Sequence, residues 1–115
     1  MTNIYNEINA LEGAFRKTAE FETLKEAVEV VKADEEALNV FKNFRKIQIE
    51  LQKKQLAGED LLEDELVYAQ KAAQLAQQNE KISAMLEAEM KVSKVIEEVN
   101  RILLKPIQTL YEDIQ

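Results

Sequence analysis

The sequence predicts an all-α fold, a helical bundle of about five helices with a long third and a long C-terminal helix, and three observations lead there. Its 115 residues hold only two glycines and one proline, Gly13, Gly58 and Pro106, too few for the turns of a β-rich chain. Its filler is Ala, Leu, Glu, Lys and Gln, the strong helix formers. Its apolar residues recur at helical rather than alternating spacing. The length suits a single helical domain over residues 1–115.

The first helix is expected from about Asn3 to Lys17, with Ile4, Ile8, Leu11 and Phe15 on one stripe. The second, about Ala19 to Lys32, carries Phe21, Leu24, Ala27, Val28 and Val31. Asp34 then reads as an N-cap, with Glu35 and Glu36 placed where negative charge meets the positive end of the helix dipole. The third helix runs to about Ala57 and stops at Gly58, a residue able to take the left-handed conformation just past a last turn. A fourth helix, about Glu63 to Gln78, presents Leu62, Leu66, Ala69, Ala72, Ala73 and Ala76 on one face, small enough for a neighbour to come close. Asn79 marks a break or kink. The last helix covers about Glu80 to Leu104, with Met85, Ala88, Val92, Val95, Ile96, Val99, Ile102 and Leu103 in its stripe. Pro106 is expected to end or bend it, leaving a tail with Ile107, Leu110, Tyr111 and Ile114 for a turn or two. Gly13 falls off its helix's apolar stripe and reads either as a point of close helix approach or as a surface residue.

Absent residue types exclude much chemistry. Without cysteine there are no disulfides, thiolate metal sites or thiol nucleophiles. Without histidine the commonest general base and transition-metal ligand is gone. Neither glycine belongs to a phosphate-binding loop, and Ser83 and Ser93 have no histidine to activate them. The acids Glu59, Asp60, Glu63, Asp64 and Glu65 lack the alternating ligands and fixed glycine of a calcium loop; helix-dipole compensation explains them better. No enzyme, cofactor or metal is expected. Tyr5 and Tyr68 read as boundary packing residues.

The first ten residues do not form a signal peptide, and no apolar run approaches a membrane span. A cytoplasmic protein without membrane insertion is expected. The net charge of −7 sets the wrong long-range field for nucleic acid, so direct nucleic-acid binding is disfavoured.

The third helix is the most informative segment. Steps of about 100° put Ala37, Val40, Phe41, Phe44, Ile47 and Leu51 on one broad face. Leu38, Ile49 and Leu56 form a narrower stripe, with Arg45 and Gln52 beside it. Two apolar stripes fit a helix held between neighbours in its own chain or one contributing to a subunit interface; dimerising would also enlarge a small core. Leu38, Arg45, Ile49, Gln52 and Leu56 are therefore the candidate interface. Lys42, Lys46 and Lys53 occupy the remaining face and are the candidate basic patch. They read as a solvated face or, alternatively, as a direct RNA-binding surface, although no aromatic residue interleaves them to stack on bases.

The order and spacing of Leu24-Lys25-Glu26-Ala27, Val31 to Ala37, Phe41-Lys42-Asn43-Phe44 and Gln48 to Gly58 resembles the YlbF/YmcA family of small helical proteins from Gram-positive bacteria, and within it the YheA branch. The similarity covers nearly the whole chain. It implies a helical bundle, a homodimer, and related family proteins as further partners. It also implies a non-enzymatic role in a complex that influences RNA processing by a membrane-anchored ribonuclease, and through it competence, sporulation and biofilm formation. The iron–sulfur cluster that some members hold on cysteines does not carry over to a chain with none. Expectation therefore converges on a self-associating protein–protein interaction module.

Overall fold

The computed structural model describes residues 3–114, and among the described residues it is all-α. Its helices are α1 (Ile4–Phe15), α2 (Ala19–Ala33), α3 (Glu35–Leu56), α4 (Glu63–Gln78) and α5 (Glu80–Tyr111). Each boundary has a local cause. Asn3 caps α1 by accepting from the Tyr5 N–H at 3.1 Å. The Thr18 hydroxyl accepts from the Phe21 N–H at 3.2 Å and so opens α2, while donating to the Phe15 carbonyl at 2.8 Å. Asp34 caps α3 through the Ala37 N–H at 3.1 Å. Gly58 follows α3 at φ +75°, the left-handed conformation that costs glycine no steric penalty. Asn79 separates α4 from α5, its side chain accepting from Lys81 and Ile82 N–H groups at 3.0 and 3.1 Å.

Two sequence expectations need correction. The first helix ends at Phe15, two residues early, because Thr18 claims the Phe15 carbonyl. The last helix does not stop at Leu104 but runs through Pro106 to Tyr111. Proline removes one N–H and crowds the preceding turn, yet this turn is exposed, so water can satisfy the freed carbonyl. Thr109 adds a hydrogen bond to the Lys105 carbonyl at 3.0 Å.

The chain divides into two compact units, Lys25–Leu86 and a second made of the described residues up to Leu24 with those from Glu87 onward. In Lys25–Leu86, α3 and α4 are the closely packed pair. They run antiparallel: Lys54 pairs with Glu65, and Asn39, Val40 and Asn43 share a groove with Ala72 and Leu75. Ala72 and Ala76 are buried, so the expected small-residue face of α4 is the one that meets its neighbour. Val31, Ala37, Ile47, Ile82 and Met85 complete this core. In the second unit Ala88 and Val92 are buried and the Phe15 and Phe21 rings tilt together at 5.5 Å. None of α1 is fully buried.

Candidate interaction surfaces

The broad face predicted for α3 is its inner face: Ala37 and Ile47 are buried and Val40, Phe41, Phe44 and Leu51 half-buried. The narrow stripe splits along its length. Leu38 is half-buried, Arg45 and Gln52 are exposed, Ile49 is 47% exposed and Leu56 82% exposed.

Lys42, Lys46 and Lys53 are exposed and share one shallow groove with Phe41, Arg45, Ile49 and Glu50. The two candidate sites therefore merge instead of occupying separate faces. Ile49 lies three residues beyond Lys46 and four before Lys53, positions that stack on one side of a helix. The Arg45 guanidinium sits 6.0 Å from the Phe41 ring centroid, within cation–π range. Lys42, Lys46 and Lys53 enter no ion pair among the described residues. The result is an apolar spot ringed by positive charge on an otherwise acidic chain.

The acidic cluster before α4 serves local structure. Glu59, Asp60, Glu63 and Asp64 are exposed. Glu65 accepts from the Leu62 N–H at 3.2 Å with one oxygen and from Lys54 Nζ at 2.6 Å with the other. The lysine, then the backbone donor, hold its carboxyl below the ordinary range, and the same contact raises Lys54. Glu98 is likewise lowered by Arg101, one turn along α5.

A second surface, unmarked as a site in the sequence, lies on α1 and the end of α5. Ile4, Ile8 and Leu11 are exposed, as are Ile96, Leu103, Ile107, Leu110 and Ile114. An apolar groove of about 410 Å³ joins the two helices, lined chiefly by Ile8, Leu11, Phe15, Val95, Ile96 and Val99. Tyr5 and Tyr68, expected at packing boundaries, are also exposed. Helical periodicity could have found the α5 stripe; only the fold shows that this chain leaves it bare. No helix among the described residues is long and apolar enough to cross a membrane.

Residues 4–108 match the family model described as control of competence regulator ComK, YlbF/YmcA. The chain belongs to the YlbF/YmcA family. Among its relatives, a UPF0342 protein of Lysinibacillus sphaericus is 87% identical over 115 residues, covering 100% of both chains. The UPF0342 protein YheA of Bacillus subtilis is 44% identical, covering 98% of this chain and 97% of the relative. Neither is named as an enzyme. A solved structure of a DUF964 protein from Bacillus stearothermophilus superposes with TM-score 0.87 at 40% identity, covering 97% of this chain and 98% of that one. Bacillus subtilis RicA, in a crystal structure with RicF, has TM-score 0.67 at 16% identity, covering 95% of this chain and 96% of that one. At that identity the likeness to RicA is one of fold alone.

Proposed function

We propose that this YlbF/YmcA protein is a non-enzymatic interaction module of the cytoplasm, self-associating and able to assemble with related helical proteins. The observation that carries this reading is the amount of large apolar side chain left uncovered, on α3 at Ile49 and Leu56 and on α5 from Ile96 onward. Isolated soluble chains rarely expose contiguous apolar patches beyond a few hundred Å². The fold relative RicA occurs in complex with RicF, and the family is linked to control of the competence regulator ComK; both suit a regulator that works by contact. The carboxylates with lowered proton affinity, Asp34, Glu65 and Glu98, are engaged in ion pairs, which suits scaffolding better than catalysis. The expected role is adaptor-like, within regulation of RNA processing, competence and biofilm formation.

The test is affinity capture of the tagged full chain at native expression, with mass spectrometry of what co-purifies, alongside light scattering of the pure protein. Stoichiometric recovery of a family member or a ribonuclease supports the adaptor role; a homo-oligomer supports self-association. A monomer at high concentration with no stoichiometric partner overturns the reading.

The α3 groove supports a second reading, direct RNA binding, because Lys42, Arg45, Lys46 and Lys53 gather there. It predicts RNA affinity that falls steeply with salt and is lost when the three lysines become Glu. No RNA binding at low salt removes it.

A further inference from the structure

The buried side of α5 at Ala88 and Val92 continues in register toward the C-terminus. Counting about 100° per residue, Ile96, Val99, Leu103, Ile107 and Leu110 follow Val92 within a narrow stripe of α5. Burial does not follow it: Val92 is 7% exposed, whereas Leu103 is 61% and Leu110 74% exposed. Leu103, Ile107 and Leu110 are spaced four and three, the repeat by which helices interlock side chains with a neighbour, and Ile114 follows bare just past the helix end. Ile102, Leu104 and Tyr111 widen the apolar arc to about 200°, more than one neighbouring helix covers.

We propose that this face, with Ile4, Ile8 and Leu11 of α1, is where a second copy of the chain docks, a surface that rests on the self-association reading above. Three features fit a second copy. Eight large apolar side chains, from Ile4 on α1 to Ile114 past the end of α5, are between 46% and 74% exposed, the kind of apolar centre that an interface of about 800 Å² per partner is built on. The α5 part of the surface is nearly uncharged: Glu97, Glu98, Arg101 and Lys105 fall on the opposite side of the helix, and Glu112 and Asp113 come after its end at Tyr111. On α1, Glu12 borders the groove but is paired with Arg16. Two copies each carrying −7 can therefore meet there with few like charges opposed, whereas a charged partner would find little to complement. A two-fold copy also brings two apolar helices, its own α1 and α5, as the wide arc requires, and like packs on like in such an interface.

Sedimentation equilibrium on the full chain, on Leu103→Glu/Leu110→Glu and on Gln77→Lys, an exposed site on α4, tests this. The wild type should dimerise, the double variant should weaken the dimer by roughly a hundredfold or more, and Gln77→Lys should leave it unchanged. Because both leucines are bare, helicity by circular dichroism should survive the substitutions. A double variant that dimerises like the wild type overturns the surface and leaves self-association standing. A wild type monomeric at high concentration overturns both. Loss of capture of a different family protein, without any self-association, reassigns the face to a heterologous partner and overturns the second copy. On the unmodified protein, amide exchange of residues 102–114 should slow as concentration rises; exchange independent of concentration in the dimer also overturns it.

Discussion

Lys81 reaches Asp34 across 47 residues of sequence, its Nζ 2.8 Å from Oδ2, while the other oxygen of the same carboxylate accepts from the Ala37 N–H at 3.1 Å. One side chain thus opens α3 and ties that opening to the first turn of α5. Glu65 repeats the device at the far end of α3, with one oxygen on its own helix start and the other on Lys54. The two clamps fix both ends of the α3 and α4 pair within one unit.

Asp34→Ala should remove the cap and the ion pair together and lower the midpoint of thermal unfolding by about 5 °C. Lys81→Met should cost much less, since an exposed ion pair contributes little by itself and the cap survives. Circular dichroism melts of the two variants and their combination check the ranking. Equal losses from both would show that the pairing, rather than the cap, carries the effect.

Acid should destabilise the chain from the carboxylate side alone. Lys81 and then the Ala37 N–H hold Asp34 below its ordinary value of 3.8; Lys54 and then the Leu62 N–H hold Glu65 below 4.5. A group lowered in the folded state stabilises fully above its unfolded value and loses that stabilisation as pH falls through the folded one. Urea midpoints should be flat between about pH 5 and 8, where a chain without histidine has little to titrate, and should fall below about pH 4. Asp34→Asn should shrink that fall, and an unchanged acid limb in this variant would rule the clamp out as its source.

Ala76 is wholly buried on α4, in the helix most closely packed on α3. Ala76→Leu should overpack the contact and cost about 1–3 kcal/mol in urea unfolding. The neighbouring exposed site offers the control: Gln77→Leu should lie within about 0.5 kcal/mol of the parent. Similar effects at both positions would mean that close approach of the helices is not what these alanines serve.

How far the molecule can be read from its residues depends on whether the cause is local. Asp34, Gly58 and Asn79 are legible because cap, left-handed turn and break each follow from the residue and its immediate neighbours. Thr18 carries the same kind of signal, a hydroxyl placed before the first residue of α2, and the periodicity of Ala19 onward hid it. Gly13 was ambiguous because sequence does not say what stands opposite it. In the fold a Cβ there would meet nothing within 4 Å, which leaves the surface reading. Assigning Ile49 and the lysines to separate faces overlooked that positions 46, 49 and 53 lie within a narrow sector of one helix. The bare faces of α1 and α5 were beyond sequence altogether: amphipathicity tells which side of a helix is apolar, not whether anything in the chain covers it.

Pro106 gives the sharpest test of the fold's largest departure from expectation. If α5 runs through it to Tyr111, backbone chemical shifts of Ile107 to Tyr111 should be helical in the wild type. Pro106→Ala should then restore an N–H donor to the Ile102 carbonyl and remove the ring crowding the preceding turn. In an ordinary helix interior that exchange favours helix by about 3 kcal/mol, so amide exchange from Ile107 to Tyr111 should slow visibly. At concentrations below dimerisation the global unfolding midpoint should move little, because in the monomer this end of α5 is exposed and its opening is not coupled to a buried core. Coil-like shifts beyond Lys105 in the wild type would end the helix where steric preference before proline places its end, and would take away the scaffold that aligns Leu103 with Leu110.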